Sequence, residues 1–126
     1  MTFPDDPPTV RVDVQQIERV LVNVLENALK YSPPGERVHV HVTASPSETI
    51  VRVVDRGPGV PAEAHEQIFE PFNRGGRSTG PGAGLGLAIA RGFAEANGGR
   101  LWVESLSGQG AAFVLSLPSV REAVPA

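Results

Sequence analysis

Beyond residue 13, apolar side chains recur at helical spacing. Ile17, Val20, Leu21, Val24, Leu25, Ala28 and Leu29 fall on one face, and that period predicts an amphipathic helix. Asp13 and Gln16 form a capping-box pattern at its start. Ser32-Pro33-Pro34-Gly35 ends it, because proline offers no backbone N–H to the ladder. Over 37–43 the period changes to two: Val38, Val40 and Val42 point one way, Arg37, His39, His41 and Thr43 the other. Ser45-Pro46-Ser47 reads as a turn into a second, antiparallel strand over 49–55. On it Val51, Val53 and Asp55 share a face, which puts a carboxylate at a strand end on the apolar side. A short helix is predicted over 61–69, with Pro61 in its first turn. Another runs over about 85–97, with Ile89, Ala90 and Phe93 on one face and Gly98-Gly99 closing it in left-handed geometry. Strands over 101–105 and 111–117 finish the series.

That order predicts an α/β (α+β) two-layer sandwich: a mixed, mainly antiparallel sheet with about three helices on one face. The domain is expected over 10–118, with a linker at 1–9 and a tail at 119–126. A chain of 126 residues, 40% hydrophobic and 20% charged, suits one core of this kind. It has no cysteine, which removes disulfides and thiolate metal sites. A net charge of −3 gives no reason to expect nucleic acid as a partner. No apolar run approaches the roughly 18 residues that span a bilayer. The N-terminus lacks the basic and apolar regions of a secretory leader.

Four segments carry candidate chemistry. Asn23, Asn27 and Lys30 are spaced to line one stripe of the first helix. Amide oxygens ligate Mg²⁺ without adding charge, and an ammonium neutralises phosphate oxygens; a solvated helix face would look the same. Asp55, Gly57 and Gly59 form the second. An ionised carboxylate accepts but does not donate, so it suits the exocyclic amine of adenine and rejects the carbonyl of guanine. The glycines let a flat ring approach the backbone, though a plain turn has the same composition. The third runs from Phe69 to Phe72, with Arg74 behind it. The phenylalanines suit the base of a loop, and Arg74 suits a phosphate or solvent. The fourth is Gly82-Ala83-Gly84-Leu85-Gly86-Leu87, where glycines lead into a helix start and backbone N–H groups can cradle phosphate. Leu87 takes the place of the last glycine of a dinucleotide fingerprint, and no Gly-Lys-Ser/Thr follows as in a P-loop. The stretch over 70–84 is a long glycine- and proline-rich loop, which points to function; it is expected to order only with nucleotide.

In order and spacing these segments resemble the catalytic domain of sensor histidine kinases, within the superfamily that includes gyrase and MutL ATPases. Residues 23–31 match the N box, 55–59 the G1 box, 69–72 the F box and 82–87 the G2 box. Gly108, Gly110 and Phe113 match a late glycine box. The run from Pro81 and the late segment are similar to Kdp potassium-responsive sensor kinases. The resemblance covers about 10–118 and implies a Bergerat-type fold that binds ATP and Mg²⁺. It implies Asn27 as the metal ligand, with Asn23 supporting metal and phosphates and Lys30 on the phosphates. Tyr31 would lie against adenine or ribose. Asp55 would take the adenine amine, with Gly57, Gly59 and Val60 around the ring and Phe72 at the loop base. Arg74 would approach the γ-phosphate, and the Gly82, Gly84, Leu85, Gly86 and Leu87 backbone would hold the phosphates. Asn23, Lys30 and Arg74 are the catalytic candidates.

Two departures matter. Relatives often carry Thr or Ser after the late glycine, where this chain has Ala111. Hydrolysing members of the superfamily carry a glutamate at the position of Asn23, and an amide takes no proton at neutral pH. The expectation is therefore phosphoryl transfer to a histidine with slow hydrolysis. His39, His41 and His65 lack an acceptor context and read as solvent-facing. The acceptor would sit on a dimerisation domain of the same parent protein, with a response regulator downstream. This piece would be cytoplasmic, monomeric and not itself inserted in membrane. An anti-sigma serine kinase and a non-catalytic nucleotide sensor are the alternatives.

Overall fold

The computed structural model describes residues 10–31, 34–57, 64–70, 86–105 and 110–119. Helix α1 spans Val14–Tyr31, β1 His39–Ala44 and β2 Glu48–Asp55; a 3-10 turn at Gln67–Phe69 precedes α2 at Gly86–Ala96, β3 at Arg100–Ser105 and β4 at Ala111–Pro118. Asp13 caps α1, accepting the Gln16 N–H on Oδ1 at 3.1 Å. The return half of the capping box is made by another residue. Asp13 N–H donates to Asn97 Oδ1 at 2.8 Å, and Gln16 Oε1 accepts from Asn97 Nδ2 at 2.9 Å. The last turn of α2 therefore caps the first turn of α1. At α2's own end Gly98 takes φ +77°, the left-handed closure the sequence predicts.

The strands form one sheet in the order β1-β2-β4-β3. All three neighbouring pairs are antiparallel, so the parallel pairing that a mixed sheet implies is absent among the described strands. The two-layer α+β architecture is as expected. Of the three expected helices, the described residues contain two, and the short one over 61–69 is reduced to the 3-10 turn where it is described. Its Phe69 is buried edge-on to Phe113, with ring centroids 6.4 Å apart. Arg91 of α2 holds the turn from outside, its guanidinium 3.0 Å from Glu66 and 4.8 Å from the Phe69 ring centre.

Register fixes which residues meet the helices. Val40, Val53 and Phe113 lie in one row, with Val103 beyond on β3. These join Ile17, Val20, Val24 and Ala28 of α1 and Ala90 and Ala94 of α2 in one core cluster. The other sheet face is polar at its rim yet closed at its centre. Val114 is wholly buried there, flanked on the ladder by Arg52 and Trp102. Arg100 stacks over Trp102 at 5.0 Å, while Trp102 Nε1 (3.0 Å) and Arg52 Nη2 (3.3 Å) both donate to Glu104.

Those contacts set a small pH dependence. The Trp102 hydrogen bond chiefly, opposed by partial burial and aided by Arg52, holds the Glu104 carboxyl below the ordinary carboxylate range. A depressed folded value means stability present above the unfolded value and lost as pH falls through the folded one. Because the pair is exposed, the contribution is about half a kcal/mol. Urea titrations of wild type and Glu104→Gln are expected to differ by about that amount at neutral pH and to converge in acid.

Candidate functional site

The end of the site expected to take the purine lies where β2 stops. Alternation puts Asp55 on the helix-facing side with Val51 and Val53, and the residue is only 4% exposed. A carboxylate buried this deeply needs partners. Its Oδ1 accepts the N–H of Gly57, itself buried, at 2.8 Å, which ties the side chain to the turn beyond the strand. The ladder sets Ala111 directly opposite Asp55. Ala111 is buried, and its methyl offers neither donor nor acceptor. The departure expected at Ala111 thus adjoins the carboxylate, and the position is apolar.

Gly110, which the sequence places only within the late glycine box, proves to support Asp55. It has φ +87°, and a Cβ built on it would collide with the carbonyl oxygen of Asp55. Only glycine combines that backbone conformation with that closeness.

The end expected to take the phosphates lies between the helices. Asn23 Nδ2 donates to the carbonyl of Gly86, the first residue of α2, at 3.0 Å. The amide's donor end is thereby engaged, and Oδ1 is the end left for a cation or a donor. Asn27 is half-buried one turn further on, and Lys30 is exposed in the last turn of α1. Leu87 packs against the core, so its contribution to a ligand is its backbone. Among the described residues no group of three or more His, Cys, Asp or Glu is placed to hold a metal. The oxygen donors available for one are the neutral amides of α1, which suit Mg²⁺ beside phosphates.

Several expected site residues lie outside the described residues: Gly59, Val60, Phe72, Arg74, Gly82, Gly84 and Leu85, together with the side chain of Tyr31. The loop expected to order with nucleotide falls there too. His39 and His41 are exposed as expected, their rings parallel within 6° and 6.1 Å apart. They sit on the sheet face away from the helices, lining a shallow hollow with Val54, Asp55 and Arg56.

A buried carboxylate at a strand end, a glycine pressed against it and an amide-lined helix meeting a second helix's N-terminus form a nucleotide-binding arrangement. The chain belongs to the family described as histidine kinase-, DNA gyrase B-, and HSP90-like ATPases, which matches residues 12–121. It is 42% identical over 114 residues to the alginate biosynthesis sensor protein KinB of Pseudomonas aeruginosa, covering 90% of this chain and 19% of KinB. It superposes on the mycobacterial sensor histidine kinase MprB with a TM-score of 0.83 at 34% identity, covering 97% of this chain and 82% of the MprB chain. Full-length ShkA, solved in complex with AMPPNP, gives a TM-score of 0.80 at 34% identity over 94% of this chain and 25% of ShkA. The chain thus spans about a fifth of the length of KinB. No described helix is long and apolar enough to cross a membrane.

Proposed function

We propose that the chain binds Mg-ATP and transfers its γ-phosphoryl group to a histidine on a separate dimerisation domain of the same parent protein. A response regulator then takes the group, and the exchange occurs in the cytoplasm. The observation that carries this reading is Asp55. A buried acceptor with one oxygen already bonded to Gly57 is set to receive the adenine amine.

Asn27, with Asn23 beside it, would hold a magnesium ion, which would supply neutralising charge for the phosphates. Lys30 and the first N–H groups of α2 face the same charge, favoured by the helix dipole. In the transfer an imidazole nitrogen attacks the γ-phosphorus, the bond to the β–γ bridging oxygen breaks, and ADP departs. The imidazole proton passes to solvent or to a base on the acceptor domain. This chain contributes position and charge. Asn23 is an amide and offers no base for water, which supports transfer over hydrolysis.

The test mixes this chain with the parent's acceptor domain and γ-labelled ATP. An acid-labile, base-stable phosphate on the acceptor is expected, and Asn27→Ala is expected to lower the transfer rate about 100-fold. Acid-stable phosphoserine would establish an anti-sigma type of kinase instead. Nucleotide binding without transfer would leave a sensor.

A further inference from the structure

We propose that Asn97 is a positioning residue for the triphosphate, acting through α2 from the end of the helix remote from the site. The inference rests on the nucleotide-binding reading above and adds a residue to it.

The two helices run antiparallel, and α2 is pinned at both ends by asparagines, one from α1 and one just past its own last residue. Asn23 of α1 holds Gly86 at the start of α2, and Asn97 at the finish of α2 holds Asp13 and Gln16 at the start of α1. Asn97 is fully engaged: Oδ1 accepts from Asp13 N–H, and Nδ2 donates to Gln16 Oε1 and to the Phe93 carbonyl, both within 2.9 Å. Between these clasps α2 meets the core through Leu87 and Phe93, both partly buried, and through the methyl groups of Ala90 and Ala94, both wholly buried. Apolar contacts of this kind are not directional. Hydrogen bonds with fixed partners resist sliding well, because a displaced donor leaves two groups unsatisfied.

Register between these helices matters because the proposed site is split across them. Asn23, Asn27 and Lys30 stand on α1, while the N–H groups of the first turn of α2 face the phosphates. Gln16 and Asn23 are seven residues apart on one stripe, and both reach α2. The stripe that carries the metal and phosphate groups is therefore the one that Asn97 fixes. An 11-residue helix spans about 16 Å, so Asn97 acts over that distance by setting where α2 begins. Adenine, held by Asp55 on the sheet, is independent of this register.

The experiment is calorimetry on the 126-residue chain with two probes, Mg-ATP and adenosine. For Asn97→Ala, Mg-ATP affinity is expected to fall about 10-fold while adenosine affinity stays within about 2-fold. Gln16→Ala removes one bond of the clasp and keeps the test open if Asn97→Ala does not fold; the same bias at about 3-fold is expected. Val114→Ala, a core truncation on the far sheet face, is expected to lower the melting temperature without changing either affinity. Equal weakening of both probes, or unchanged Mg-ATP affinity in a folded clasp variant, would overturn the positioning role. Wild-type protein that binds neither probe would overturn the nucleotide reading itself.

Discussion

Asp55→Asn is expected to weaken ATP binding by about 2 kcal/mol or more, the worth of a charge-assisted hydrogen bond in a buried place. The substitution preserves volume. The new amide oxygen still accepts from Gly57 N–H, as Oδ1 does now, which leaves the amide nitrogen toward the ring. Two donors then face each other where an acceptor faced an amine. The same nitrogen suits the carbonyl of guanine, so preference for ATP over GTP should narrow as ATP affinity falls. Titration of wild type and variant with both nucleotides checks this. Unchanged ATP affinity in folded variant would remove Asp55 from adenine recognition.

Gly110→Ala is expected to cost about 2–4 kcal/mol of stability, the sum of left-handed strain for an L side chain and an overpacked contact. The contact is with backbone, the Asp55 carbonyl, and the Arg56 Cα stands 3.2 Å from the same methyl. No rotamer change relieves it; β2 and β4 must part at the end where the carboxylate sits. A loss of that size is a large part of the roughly 5–15 kcal/mol that holds a domain folded. Denaturant melts with and without Mg-ATP measure it. The nucleotide-induced rise in midpoint should shrink along with the midpoint itself, because the collision displaces Asp55.

What the sequence made legible was periodic or local. Alternation over 37–43 and 49–55 placed the strands and turned Asp55 inward. The helical repeat from Ile17 to Ala28 placed α1 and its amide stripe. Long-range partners were not legible. The Asp13–Gln16 pattern indicated a self-contained box, yet the reciprocal bond comes from Asn97, 84 residues away. Asn97 reads locally as an ordinary helix end before two glycines. Gly110 reads as a turn residue, and only the β2–β4 register shows what it lies against. Val114 lies on the outer face of β4, and nothing local to it foretells that it would be wholly buried beside Arg52 and Trp102. Strand direction was legible in part: the β1–β2 pair is antiparallel, as its short turn indicated, while the mixed component expected of the sheet gives way to antiparallel pairing of β2 with β4 and β3 with β4, which tertiary contact decides.

Val10 and Ser119 bridge to one another, and Ser119 N–H also donates to Ser47 O at 3.1 Å. The stretch before α1 and the one after β4 are thus fastened together at one corner of the sheet, beside the start of β2. A loss of contacts at that corner frees both at once, so their amide hydrogens should exchange as one unit rather than as two.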